Sequence, residues 1–374
     1  VTATDAAAAA IVVILPPRER FRAGDAGAVA LTVRDFVGAS RWRERITVFG
    51  GEPEHFEEIS YRHVPARLHW LLGRNLAYVL ACAAAVRATA AMLIEVHNRV
   101  LLALRLKARF PGRKVSLHLH NDPWSMQGAK SLAERRRLLQ ELDAIYCVSQ
   151  FVRERLLAGL DGVDSHHVHV IHNALRAAPA VDLARKKQQV VYAGRFIPEK
   201  GVLELAQALA QTLPRFPDWR AVFLGAWGFG HVAGRSDYEQ QVYAALNDVA
   251  TQVDFRGHVP QGVVMEVFAE SAIALSPSTG VDAFNRAAIE AMDQGCATIV
   301  STQGGLRELG GDAAIRVDPV SATTLAAALT RLMGDAGYRA SVARACQARV
   351  HALFNLDEQV RRLDAVRASL LQGG

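Results

Sequence analysis

Arg195 and Lys200 stand five positions apart in Gly194-Arg-Phe-Ile-Pro-Glu-Lys200-Gly201, directly after the apolar run Val190-Val-Tyr-Ala. A planar guanidinium fork and a point-charge ammonium at the end of a strand suit a diphosphate. A second stretch, Pro277-Ser-Thr-Gly280-Val-Asp282-Ala-Phe284-Asn285-Arg286-Ala-Ala-Ile-Glu290, reads as a turn opening into a helix near Asn285. There the N–H groups of Phe284, Asn285 and Arg286 would face an anion at the positive end of the helix dipole. Glu290, one turn inside, is placed to bind a ribose diol, and Asp282, before the turn, to accept bonds from a transferred sugar. Together the stretches describe a pocket for a sugar nucleotide. Taken singly, each has a plainer reading: solvated cations for Arg195 and Lys200, a helix cap for Asp282, a surface charge for Glu290.

The first half offers strand-end imidazoles. These lie in Glu95-Val-His97-Asn98-Arg99 and in Leu117-His118-Leu-His120-Asn121-Asp122. Alternation puts His118 and His120 on one face of their strand. Imidazole there can bond sugar hydroxyls or a developing charge, and His97, Asn98, His118 and Asn121 are expected on the acceptor side. No third ligand has metal spacing relative to His118 and His120, and no metal is expected. Gly24-Asp-Ala-Gly27 either cradles phosphate after the first strand or is a plain turn. Gly225-Ala-Trp-Gly228-Phe-Gly230 allows close backbone approach to a ligand.

Alternating elements must position these groups. Apolar β-rich runs at Ile11–Leu15, Ile46–Phe49, Met92–Val96, Val115–His120, Ala144–Val148 and Val168–Ile171 alternate with helical patterns at Ala28–Val37, Leu68–Ala90, Asn98–Arg109, Lys130–Leu139 and Phe151–Gly159. Asn173–Gln189 reads as a linker. Alternation restarts at Val190–Ala193 and runs through strands Arg220–Leu224, Val253–Arg256, Ile273–Ser276, Thr298–Ser301 and Ala314–Val317 to helices over 321–371. Such alternation predicts an α/β protein with two doubly wound parallel sheets, whose ligands sit outside the strands' carboxyl ends. The expected boundaries are 1–176, 188–353 and a final helical segment, 354–374.

Residues 1–180 carry 24 Lys and Arg against 17 Asp and Glu, a balance of +7, while residues 181–374 balance at −1. The basic first half suits an anionic partner such as a membrane surface, or is simply an Arg-rich solvated surface. No nucleic-acid partner is expected. Four scattered cysteines without a C-x-x-C pair fit a reducing cytoplasm. No secretory signal is read in the Ala-rich residues 1–10, and Leu76–Val96 is interrupted by Arg87, against a membrane span.

The motifs resemble the retaining glycosyltransferases of family 4. The resemblance rests on Gly194-Arg195 with Pro198-Glu-Lys200-Gly201, Phe255-Arg-Gly257, Pro277-Ser278, Asp282 followed by Glu290-Ala-Met, Gly295 and Gly304-Gly305-Leu-Arg-Glu308. In the first half Ile94-Glu-Val-His97, Ile145-Tyr-Cys-Val-Ser149 and Val170-Ile-His-Asn173 add to it. The resemblance implies a GT-B fold of two Rossmann-like domains facing a cleft, with the last helix crossing back to the first. It implies that Arg195 and Lys200 stabilise the leaving diphosphate, that Glu290 binds the ribose, that Asp282 binds the donor sugar and that His120 lies near the transferred sugar. It also implies transfer of a hexose from a UDP- or GDP-sugar to a saccharide acceptor, without cofactor or metal. Departures are Asp282 for the usual Glu, Asn285 for Gly, His172 for Pro and Ala174 for Gly. The basic first half and the aliphatic–Arg stretch 67–87 suit a lipid-linked acceptor, as in bacterial lipopolysaccharide or exopolysaccharide synthesis, with the protein cytoplasmic and peripheral at the inner membrane. A sugar-nucleotide 2-epimerase of similar architecture and an inactive sugar-nucleotide-binding protein are the alternatives.

Overall fold

The computed structural model describes residues 10–67, 69–179, 181–226, 228 and 236–372. The chain forms two compact units, Val1–Asn173 with Leu356–Gly374, and Ala174–Asn355.

The first unit is built on a seven-stranded, wholly parallel sheet. Its strands are β1 (Ile11–Ile14), β2 (Ile46–Gly50), β3 (Tyr61–His63), β4 (Leu93–His97), β5 (Lys114–Leu119), β6 (Ala144–Cys147) and β7 (Val168–Val170), in spatial order β3-β2-β1-β4-β5-β6-β7. β1 is buried along its whole length, as expected of a strand covered on both faces. Ile11, Val13, Leu31, Val33, Ile46 and Val48 form one core, against which Leu370 and Leu371 of the last helix, Leu356–Gln372, pack. The continuous helix expected over Leu68–Ala90 is instead two, His69–Leu72 and Arg74–Arg87, because Gly73 adopts φ 71° between them. The three-residue strand β3 lacks a readable pattern and was not foreseen.

The second unit holds a six-stranded parallel sheet. Its strands are β8 (Lys187–Ala193), β9 (Arg220–Leu224), β10 (Val253–Gly257), β11 (Ser271–Ser276), β12 (Ala297–Ser301) and β13 (Ile315–Val317), in order β10-β9-β8-β11-β12-β13. β8 begins at Lys187, inside the stretch expected to be linker. Its exposed first residues Lys187 and Gln188 hide the strand from a hydrophobicity reading.

In both sheets the chain fills one side first and then the other. The order reverses between β1 and β4 in the first unit and between β8 and β11 in the second. At such a switch point the loops leaving two adjacent strands diverge and open a crevice at their carboxyl ends. The two sequence motifs at 194–201 and 277–285 are the loops leaving β8 and β11.

Candidate active site

In the second unit three loops are sewn together at the switch point. The Gly280 amide donates to the Glu199 carbonyl (3.0 Å), Thr279 Oγ1 to the Pro198 carbonyl (2.8 Å) and the Gly305 amide to the Asp282 carbonyl (2.7 Å). Glycine is required at two of the contacts. A Cβ on Gly201 (φ 64°) would lie 1.9 Å from the Pro277 carbonyl oxygen, and one on Gly304 (φ 63°) 2.3 Å from that of Asp282.

This frame converges polar side chains on one carboxylate. Asp282 Oδ2 accepts from Lys200 Nζ at 2.6 Å, Asn285 Nδ2 at 3.0 Å and Ser278 Oγ at 3.3 Å. Asp282 is buried, but the Lys200 side chain keeps 24% of its surface open, so the ammonium is held in place on a side chain that still reaches solvent. Asn285, not Asp282, caps helix Arg286–Asp293, its Oδ1 accepting from the Ala288 amide at 3.0 Å. One turn in, Arg286 Nε donates to Glu290 Oε1 at 2.8 Å, with both side chains buried. Arg286 therefore brings a buried guanidinium to Glu290 as well as an amide to the helix start. Phe284 packs edge-on against Phe354. Arg195 is exposed in the first loop, and its carbonyl accepts from Tyr192 Oη at 2.9 Å. Gly194 and Gly225 approach one another: a Cβ on Gly225 would sit 2.0 Å from the Gly194 carbonyl oxygen, so the close approach expected toward a ligand is made to the neighbouring loop. Of the motif that follows Gly225, Trp227, Phe229 and Gly230 lie outside the described residues.

The first unit's site is a row of rings. Register pairs His97 with His118, His118 with Tyr146 and Tyr146 with His169 across four adjacent strands. Side chains opposite one another on a parallel sheet share a face, so the rings stack. His97 and His118 are 4.1 Å apart and nearly parallel, and His118 and Tyr146 are 4.4 Å apart. His120, just beyond β5, joins through a 2.9 Å contact between its Nε2 and His97 Nδ1. His97 is thus the third imidazole that spacing within the second histidine motif did not reveal. Ring nitrogens of all three lie within 4.8 Å of one another. Parallel rings at 4.1 Å cannot both aim an in-plane lone pair at one ion, so this arrangement is a stack of imidazoles.

A buried ion network stands behind the row. Glu95 receives Arg367 Nη2 at 2.6 Å and Nε at 3.1 Å, and Arg367 also donates to Asp364 (3.0 Å) and Ser40 (3.2 Å). Burial pulls the Arg367 pKa down, but Glu95 and Asp364 outweigh it and raise the pKa overall, so the guanidinium stays charged. Burial first, then the other imidazoles and Arg367, hold His97 and His118 well below the ordinary histidine pKa; burial pushes His120 down to about 4. All three rings are neutral at physiological pH. They line a cavity of ≈ 20 Å³ with Tyr146, Asn173 and Arg367, room for about one water. His118 Nε2 is buried with no hydrogen-bond partner among the described residues, and Glu95 Oε2 stands 3.9 Å away.

Asn98 holds the strand end. At φ 54° it is the single non-glycine residue with positive φ among the described residues, a conformation Asn tolerates better than most. Its amide donates to the His118 carbonyl and its Oδ1 accepts from the His120 amide, both at 2.9 Å. Asn121 follows, exposed. Gly24 (φ 84°) has open space around it, but the helix Ala28–Ala39 that its loop precedes already receives a carboxylate: Glu19 Oε1 accepts from the Ala30 amide at 3.2 Å. A phosphate there would meet a like charge. Ser278, Gly304, Gly305, Glu95 and Arg367 were missed as site residues. Glu95 had a signal, an acid inside the otherwise apolar strand Leu-Ile-Glu-Val-His. Arg367 had none.

Two wholly parallel sheets, each reversing order at a crevice, define a doubly wound two-unit α/β protein. Solved structures of similar fold include Anabaena HepE in complex with UDP and glucose (TM-score 0.77, 18% identity, 96% of this chain and 99% of that one) and sucrose-phosphate synthase from Thermosynechococcus elongatus (TM-score 0.77, 19% identity, 97% and 100%). The fold is GT-B. Residues 177–349 match the model of glycosyl transferases group 1, and residues 39–178 that of glycosyltransferase family 4; the chain belongs to these glycosyltransferases. It is similar to the lipopolysaccharide 1,2-N-acetylglucosaminetransferase of Salmonella typhimurium (23% identity, 72% of this chain and 71% of that protein) and to the phosphatidyl-myo-inositol mannosyltransferase of Mycolicibacterium smegmatis (29% identity, 46% and 44%).

Proposed function

We propose that the protein transfers a hexose from a UDP- or GDP-sugar to a saccharide acceptor with retention at the anomeric carbon. The observation that carries this reading is Lys200, fixed by Asp282 at the β8/β11 crevice on a side chain that still reaches solvent. In the proposal Lys200 and Arg195 bind the diphosphate and stabilise its growing charge as the glycosidic bond breaks, aided by amides at the start of helix Arg286–Asp293. Glu290, oriented by Arg286, binds the ribose. Asp282 takes hydroxyls of the sugar. The acceptor hydroxyl attacks from the face the diphosphate leaves, and no side chain forms a covalent intermediate. His120 bonds the transferred sugar as a neutral imidazole, while His97, His118, Asn98 and Asn121 form the acceptor side. No metal ion is given a role, since no Asp-x-Asp ends a strand of the first unit.

We place the acceptor among lipid-linked saccharides of bacterial surface polysaccharide synthesis, with the protein peripheral at the cytoplasmic side of the inner membrane. Support comes from the +7 balance of residues 1–180, from exposed Trp70 and Leu71, and from relatives whose names specify lipid-bearing molecules. No described helix is long and apolar enough to cross a membrane. Calorimetry with UDP and with GDP tests the donor reading. One of the two is expected to bind, and failure of both would remove the basis for it. Proton NMR of the product linkage then reads retention directly.

A further inference from the structure

A second concavity of the first unit, ≈ 610 Å³, opens beside the carboxyl ends of β4 and β5, where Asn98 and Asn121 lie. Its size suits a small-molecule ligand, and its lining divides into two chemistries. Arg74, Arg99 and Arg105 supply three guanidiniums, and no acidic side chain lines the space. None of the three arginines makes a salt bridge or side-chain hydrogen bond among the described residues. Glu19 acts on Arg99 only at longer range. Leu72, Leu76, Leu101 and Met126 supply an apolar wall. Trp70, 75% exposed, and Leu71, 64% exposed, precede Leu72 in the short helix His69–Leu72.

Three like charges around one concavity repel one another, and an anion placed among them removes that cost. A neutral saccharide would leave the three charges uncompensated and the leucines in water. Inorganic phosphate would leave the apolar wall in water, and a neutral apolar chain would leave the charges unpaired. We infer that this groove binds a single phosphate-bearing amphiphile, its phosphate on Arg99 and Arg105 and its aliphatic chain along Leu72 and Leu76. The inference rests on the reading of the first unit as the acceptor unit, and assigns to that unit the place where the acceptor's anionic lipid carrier is gripped.

Titration of the full chain with dodecyl phosphate below its micellar concentration, followed by tryptophan fluorescence, tests it. Dodecyl maltoside presents the chain without the charge, and inorganic phosphate the charge without the chain. Dodecyl phosphate is expected to bind at least ~10-fold more tightly than either control. Replacing Arg99 and Arg105 by Gln should weaken dodecyl phosphate ~10-fold or more, since each charge-assisted bond is lost. Leu72→Ser with Leu76→Ser should weaken it while leaving inorganic phosphate unchanged. UDP and GDP calorimetry on the same samples serves as the folding control and is expected to be unaltered in both variants. Equal affinity for dodecyl phosphate and dodecyl maltoside, or for dodecyl phosphate and inorganic phosphate, overturns the inference. Loss of UDP and GDP binding in the unaltered protein, with dodecyl phosphate still bound, would overturn the donor reading and leave this site standing.

Discussion

The two crevices use charge in opposite ways. In the second unit, Lys200 pairs with Asp282 across the loops that frame the crevice and keeps a face toward solvent. At the first unit's histidine row the charges are withdrawn into the interior as Glu95, Arg367 and Asp364, and what lines the small cavity is a stack of neutral imidazoles, while Arg74, Arg99 and Arg105 line a separate groove. The difference matches the proposed function. In that reading, a diphosphate that gains charge during reaction needs accessible cations, and sugar hydroxyls need oriented, uncharged donors and acceptors. The buried network then acts as the anchor that ties the last helix to the sheet carrying the imidazoles.

The comparison can be broken most sharply at Arg367. Arg367→Met leaves Glu95 buried without its partner, which should cost ~3–5 kcal/mol and lower the melting temperature on the order of 10 °C. Glu95→Met combined with Arg367→Met should recover most of that loss in a thermal unfolding series. A wild-type melting curve for the single variant would mean the network is no anchor. Lys200→Ala addresses the other crevice. It should lower kcat ~100- to 1000-fold with a much smaller change in melting temperature, because it removes stabilisation specific to the transition state; steady-state kinetics with unchanged kcat would refute its role. Glu290→Ala should weaken UDP or GDP binding ~10-fold or more by calorimetry, through loss of a ribose partner and release of Arg286.

A further test is in pH. The unfolded chain takes up protons on its histidines near pH 6.5, at the ordinary value. The folded imidazoles resist until far lower, about 4 for His120. The unfolded state thus binds more protons between those values, and stability falls as pH falls through the window, by up to ~1.4 kcal/mol per pH unit for each imidazole. Urea midpoints between pH 7 and 4.5 should show this slope, and His120→Gln should flatten it by about one proton. An unchanged slope in that variant would show that His120 titrates normally.

Much of the second unit's site is visible in the chain itself. Gly194-Arg195…Lys200-Gly201 and Asp282…Glu290 announce two strand-to-helix loops, because glycine and proline end strands and Asn285 can cap a helix. The pairing of Lys200 with Asp282 is not visible, since it depends on β8 lying beside β11. The carbonyl of Asp282 is held by Gly305 from yet another strand's loop, for the same reason. In the first unit the alternation His118-Leu-His120 shows one face, but the row His97–His118–Tyr146–His169 exists only through the register of four strands. Gly73 was read as part of a helix because the apolar pattern continues through it, whereas its backbone takes a left-handed turn.

Local chemistry therefore determined which segments are strands, where their loops begin, and which residue types stand ready at each loop. Those preferences act over a few residues and can be read in order. Strand neighbours, cross-strand register and the return of Arg367 to Glu95 were decided only by the tertiary structure. A parallel sheet bonds segments far apart in the chain, and a buried ion pair is tolerable only where packing brings its partner within reach.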